Sequence, residues 1–194
     1  ITVGAGTLSA GSLAMSATTA GRNDILSLSN GSATISGALT TGAAGCQFTF
    51  TGTGTLTFGG ATTVVLSTMT TVAGSTVKYS NAGAQTVIQG TYNNLTLAGS
   101  GAKTTTTVTV NGILSMEGTA TASAAPTYAA AATLQYNSTH TAGAEWITPF
   151  VASGGVIINT GTITLNAAKV FNATAPLTIN SGATSAMSTF LLTL

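Results

Sequence analysis

Most of this chain alternates an apolar residue with Thr or Ser, in runs of only three to five residues that Gly or Asn cuts short. A period of two sends successive side chains to opposite sides of an extended backbone. Each run therefore reads as a short strand with one apolar and one hydroxyl side. The clearest runs cover residues 25–28, 48–50, 55–58, 76–79, 94–97, 108–110, 113–116, 162–165 and 177–179, with 1–3 and 190–194 at the two ends. Thr suits the outward side because its branched Cβ fits the pleat. Helix is disfavoured, since Thr is about a fifth of the chain and Gly accounts for 24 residues. The first loses χ1 freedom in a helix and the second backbone entropy. Only the alanine-rich stretch from Ser123 to Gln135 tolerates helix, and Pro126 and Thr127 interrupt it, which predicts a loop or one short helical turn. The fold class is all-β. Residues 1–194 read as a single repetitive domain, or as a segment or subunit of a larger assembly.

Between strands a punctuation recurs: an apolar residue, then Asn, then Gly within two or three positions. It is seen at Asn30-Gly31, Asn81-Ala82-Gly83, Asn111-Gly112, Asn159-Thr160-Gly161 and Asn180-Ser181-Gly182. Asn and Gly accept positive φ, so each copy marks a sharp turn. The gaps between the asparagines are irregular, and no fixed period follows from them. Two architectures fit. In a right-handed parallel β-helix the turns are corners of stacked coils; in an antiparallel β-sandwich they are hairpins. Short strands, small residues at the corners and only 6% aromatic residues favour the parallel β-helix, with the sandwich as the alternative.

Charged residues make up 4% of the chain, against about a quarter in ordinary domains. Arg22, Asp24, Lys78, Lys103, Glu117, Glu145 and Lys169 are the whole set, for a net charge of +1. No basic patch exists to bind phosphates, so nucleic acid is not an expected partner. No apolar run approaches the roughly 18–20 residues of a spanning helix, and the aromatics show no girdle spacing, so no transmembrane segment is expected. The chain opens at Ile1 without an initiator Met or leader-like segment, which reads as a processed chain or a piece of a longer one. The lone cysteine, Cys46, is expected as a small buried apolar side chain.

Chemistry-bearing residues are few. Asp24, Glu117 and Glu145 are far apart in sequence, so no carboxylate pair for acid/base work is apparent. His140 lies five residues before Glu145 and six before Trp146, and these are expected as solvated loop residues rather than a small polar site. No Cys/His spacing suits zinc and no Asp-rich loop suits calcium. The reading is of a protein that is not an enzyme and holds no cofactor or metal.

The segment Tyr92-Asn93-Asn94-Leu95-Thr96-Leu97-Ala98-Gly99-Ser100-Gly101-Ala102-Lys103-Thr104, followed by Val108-Thr109-Val110-Asn111-Gly112-Ile113-Leu114-Ser115-Met116, resembles the repeats of large secreted bacterial surface proteins, adhesin-like and autotransporter-passenger-like β-helices. The resemblance covers residues 85–118 well and implies an extracellular, cell-surface scaffold with no catalytic residues to carry over. Expected partners are copies of the chain, adjacent repeats of a longer one, and surface glycans. Scarce charge leaves strand edges without their usual protection, and the apolar terminal strands suit assembly through Ile1, Val3, Phe190, Leu192 and Leu194. The resulting function is a filament or sheath subunit, or an adhesin stalk. The alternative is an ice-binding solenoid built on Thr-x-Thr pairs. Candidates are Thr49 to Thr57, Thr105 to Thr109 and Thr160 to Thr164, although their irregular gaps argue against stacking in register. Among four Asn-x-Ser/Thr sequons, Asn137 and Asn172 are the candidate glycosylation acceptors, whereas Asn30 and Asn94 are expected at corners.

Overall fold

The computed structural model describes residues 1–15, 23–42, 46–63 and 68–194. Arg22, one of the seven charged residues, lies outside the described residues. Among the described residues there are 27 strands and no helix. Every ladder between them is parallel. The antiparallel sandwich is thereby set aside. A parallel neighbour cannot be reached by a hairpin, so the chain must travel round before it returns beside itself. It does so in coils of varying length. Hydrogen-bonded residues on adjacent coils are 25 apart between Ser32 and Thr7 but only 18 apart between Ser100 and Ala82. The alanine-rich stretch forms no helix; it holds the strand Thr127–Tyr128, a turn closed by the Ala132 N–H on the Ala129 carbonyl (3.0 Å), and the strand Thr133–Tyr136.

The coils place strands on three faces, save that one coil meets the first face only through the isolated bridge of Phe150 to Phe171. The second face is continuous, nine strands from Thr7–Ala10 to Leu177–Ile179. At ~4.8 Å per step, its eight steps span about 38 Å. The first face comprises three ladders. One runs from Thr2–Val3 to Thr68–Thr70, one from Gly90–Tyr92 to Thr127–Tyr128, and one joins Lys169–Val170 to Leu192–Thr193. The third face is likewise three ladders: Leu13–Met15 to Thr62–Thr63, Gln85–Thr86 to Thr119–Ala122, and His140–Thr141 to Thr184–Ala186.

Because the coils stack in register, alternation along each strand becomes columns along the axis. On the second face Leu56, Val77, Leu95, Leu114, Leu134 and Val156 form one inward column and are all wholly buried. A second column holds Ile35, Phe58, Tyr79, Leu97, Met116, Tyr136 and Ile158. Complete burial of such a side chain contributes about 1.5–3 kcal/mol. Few aromatics are needed because they cluster: Phe48, Phe58, Tyr79 and Tyr92 follow one another at centroid distances of 5.6, 5.3 and 6.5 Å.

The corners explain the irregular asparagine spacing. Asn30 and Asn111 stand at the corner before the second face, whereas Asn81, Asn159 and Asn180 stand at the corner after it. One punctuation serves two corners, so the sequence interval alternates between part of a coil and several coils. In each place the side chain satisfies backbone or amide groups that no ladder reaches. Asn30 Oδ1 accepts from the Thr53 N–H (3.1 Å) and Asn94 Oδ1 from the Ile113 N–H (3.1 Å). Farther along, Asn180 Nδ2 donates to Asn159 Oδ1 and Asn159 Nδ2 to Asn137 Oδ1, both at 2.7 Å.

Corner glycines are forced twice over. Gly99 has φ +72°, and a Cβ there would lie 2.3 Å from the Asn81 carbonyl oxygen of the coil below. Gly182 has φ +82°, with nothing within 4 Å of its Cβ position. Left-handed backbone costs an L-residue about 1–2 kcal/mol, and only Gly99 adds a backbone collision. Gly182→Ala should therefore lower stability by about 1 kcal/mol and Gly99→Ala by about 3 kcal/mol or more, read from urea unfolding followed by circular dichroism. Equal losses would contradict the close stacking at this corner.

Candidate functional site

Placement of the few charges governs the outer surface. Lys103, Glu145 and Lys169 are buried. Lys103 Nζ donates to the Asn81 and Gly83 carbonyls (2.7 and 2.9 Å), and Lys169 Nζ to the Trp146 carbonyl (2.7 Å). Desolvation holds both ammonium groups below the ordinary lysine range, with the Glu145 carboxyl pulling Lys169 the other way. Lys78 and Glu117 pair at 2.6 Å across the second face. Among the described residues, only this half-exposed pair and Asp24 place side-chain charge at the surface.

What faces outward instead is hydroxyl. On the first face Thr2, Ser27, Thr49 and Thr70 stand in one register column, continued by Thr91, Thr109 and Thr127. The second face carries Ser9, Thr34 and Thr57 in column before Lys78 interrupts. On the third face the Thr139/Thr141 pair registers with Thr162/Thr164, the Thr162 N–H donating to Thr139 Oγ1 (3.2 Å). The Thr-x-Thr segments read from sequence are rearranged by the coil. Thr49 lies on the first face and Thr55 and Thr57 on the second, while Thr105 is buried and Thr107 occupies a left-handed turn at φ 59°. Stacked pairs thus come from different coils, despite the uneven spacing.

Between Thr119–Ala122 and His140–Thr141 the third face has no ladder. There a surface slot of about 310 Å³ is lined by Thr119, Thr121, Thr139, His140, Thr141 and Thr164. His140 is not the solvated loop residue expected from the sequence. It is 6% exposed, alternates inward beside exposed Thr141, and lies 5.7 Å from the Tyr136 ring. Glu145 is likewise wholly buried. Its Oε1 accepts from the Tyr136 hydroxyl (2.8 Å) and the Gly143 N–H (2.7 Å), while Tyr128 donates to its backbone carbonyl (2.8 Å). Trp146 packs on Tyr136 and Phe171 at 5.9 and 5.8 Å. Both His140 ring nitrogens, Glu145 Oε2 and Trp146 Nε1 lack a hydrogen-bond partner. The cluster is a polar knot inside the solenoid, with His140 lining the slot from its inner side.

The other sequence-derived residues separate into groups. Val3 is buried and Leu192 packs partly against the core, whereas Ile1, Phe190 and Leu194 are exposed by 67%, 38% and 77%. Phe190 belongs to a turn, its N–H donating to the Met187 carbonyl (2.9 Å), so the last strand shortens to Leu192–Thr193. Asn137 is half-buried, its Nδ2 donating to Ser115 Oγ (2.7 Å), and a glycan on that nitrogen would displace this bond. Asn172 is exposed together with Ala173 and Thr174. Cys46 is buried, as expected, with its thiol on the Met15 carbonyl.

Burial raises the hydroxyl pKa of Tyr79, Tyr92 and Tyr136 above the ordinary value; the Glu145 carboxyl adds to the effect at Tyr136. Stability from these groups is complete below the unfolded value of about 10 and is lost as pH climbs toward the folded values. Each tyrosine should steepen the loss by about 1.4 kcal/mol per pH unit above pH ~10. Urea midpoints level to that pH and falling steeply beyond it are expected, with a shallower fall in Tyr136→Phe; midpoints level to pH ~12 would contradict the burial.

No protein-family model, no curated protein and no solved structure matches the chain.

Proposed function

We propose that this protein is a non-enzymatic extracellular structural element, a self-assembling filament or sheath subunit or an adhesin stalk at a cell surface. The observation that carries the reading is the withdrawal of charge. Three of the six described charged residues are inside the solenoid and two pair with each other. Flanks of uncharged hydroxyls leave little electrostatic repulsion to hold copies or neighbouring repeats apart. The unbroken second face supports the same reading, because a ladder running the full length gives a stiff rod rather than a hinged one. The resemblance of residues 85–118 to surface-protein repeats supports the extracellular location.

A second reading, ice binding, is favoured by the registered pairs Thr139/Thr141 and Thr162/Thr164, with Thr119 and Thr121 across the slot. Sedimentation and negative-stain imaging of the purified chain separate the outcomes. Fibres, or monomeric rods about 40 Å long, agree with the structural role. Thermal hysteresis that disappears in Thr141→Tyr would transfer the function to the third face. Polysaccharide cleavage abolished by Glu117→Gln, Glu145→Gln or Asp24→Asn would overturn the non-enzymatic reading.

A further inference from the structure

We propose that the slot in the third face binds a neutral, hydroxyl-rich ligand: a single sugar ring, free or at the end of a glycan chain. The slot opens where two neighbouring coils part, with laddered coils on both sides of it. Thr119–Ala122 ladders only to Ser100–Thr104, and His140–Thr141 only to Thr162–Thr164. Alternate residues of a parallel strand direct their N–H and C=O groups to opposite neighbours. Each of these two strands therefore keeps backbone donors and acceptors on its slot side that no ladder uses.

The side chains add to this edge. Thr119, Thr121, Thr139 and Thr141 are exposed, and Thr164, in register with Thr141, is half-buried. A hydroxyl donates one hydrogen bond and accepts two, so the Thr139 hydroxyl keeps a proton to give while it accepts from the Thr162 N–H. Behind the threonines His140 lines the slot from within, only 6% exposed, and neither ring nitrogen has a partner. An imidazole buried in this way forgoes bonds that the unfolded chain makes to water. Its χ2 torsion is broad, so a small turn of the ring brings a nitrogen onto a group seated in the slot. Charge narrows the ligand further. The described lining residues include no Lys, Arg, Asp or Glu, and the charged side chain tied to the knot through Tyr136 is the Glu145 carboxyl, which works against phosphate or sulfate. Threonine hydroxyls and a neutral imidazole all both donate and accept. Their complement is a ligand built of groups that do the same, and a sugar ring is such a ligand. The slot's volume of about 310 Å³ is at the small end of small-molecule sites (~300–1,000 Å³), which suits one ring with any further chain in solvent.

His140 is the only histidine in the chain, so its ring nitrogens give unambiguous NMR signals in isotope-labelled full-length protein. Glucose, galactose, mannose and N-acetylglucosamine are titrated separately at millimolar concentration, each as the free sugar and as its methyl glycoside. At least one should move the His140 ring signals saturably. Thr141→Val, which removes the hydroxyl and keeps the shape, should weaken that binding about tenfold, the loss of one hydrogen bond, and Thr109→Val on the first face should leave it unchanged. Methyl glycosides that bind as well as free sugars assign the site to a chain end, and binding of free sugars alone assigns it to a monosaccharide. The wild-type titration stands whether or not a variant folds. Signals that no sugar moves overturn the proposal. So does a shift produced only by inorganic phosphate or only by an acetylated Thr-Val-Thr-Val-Thr peptide, which would give the slot to an anion or to an added strand. Fibres or rods seen by imaging are unaffected by either result, so the sugar site and the structural role fail separately.

Discussion

Everything in this molecule depends on the spacing of one strand above the next. A parallel ladder holds neighbouring coils ~4.8 Å apart, and that distance has to be met on the faces and at every corner. At the corner after the second face the demand is met by glycine. The Cβ position of Gly118 would lie 2.3 Å from the Gly99 carbonyl oxygen, and that of Gly99 the same distance from Asn81. No side chain fits between coils packed so closely. Farther along the same corner amides join in, and the Asn137–Asn159–Asn180 ladder uses side chains to continue the hydrogen bonding that the backbone cannot.

Once coils are held at that spacing, alternation along a strand turns into long columns, and the two sides of the wall acquire separate tasks. Inward columns supply the burial that stabilises the rod. Outward columns repeat one group, the hydroxyl, with little charge. Such a surface is uniform along the axis and chemically neutral, which suits contact along a length better than recognition of a single small molecule. The exception lies around His140–Thr141, where the third face parts and His140, Glu145 and Trp146 fill the interior with polar atoms that lack partners. Local rules fail there and hold almost everywhere else.

The second face was legible in the sequence because its inward positions are Leu, Ile, Val, Tyr and Phe, and segments such as 55–58, 76–79, 94–97 and 113–116 fall on strands as read. The third face was legible only at 162–165, where Ile163 points inward. Elsewhere its inward positions include Gln85, Lys103, Ala120 and His140, which erase the apolar alternation on which the reading depends. Each is accommodated by stacking that no local pattern encodes: Gln85 Nε2 reaches the Phe58 and Gly60 carbonyls, 27 and 25 residues away. Glu145 was misplaced for a related reason. A carboxyl in a polar stretch reads as solvated until Tyr136, nine residues earlier, is seen to donate to it. The registered threonine pairs were hidden by coil lengths that vary, since register belongs to the ladder and not to the sequence interval.

The register of the second face is the claim on which the columns and the neutral flanks rest. Paired cysteines test it most directly. Thr34 and Thr57 are outward neighbours on adjacent coils, whereas Thr96 lies two further coils along the same column, past Lys78. Parallel neighbours at ~4.8 Å meet the Cα spacing of a disulfide, and three steps at about 14 Å do not. The account predicts rapid oxidation of Thr34→Cys/Thr57→Cys to an intramolecular disulfide and none in Thr34→Cys/Thr96→Cys. A disulfide in the second pair and none in the first would contradict the stacked register.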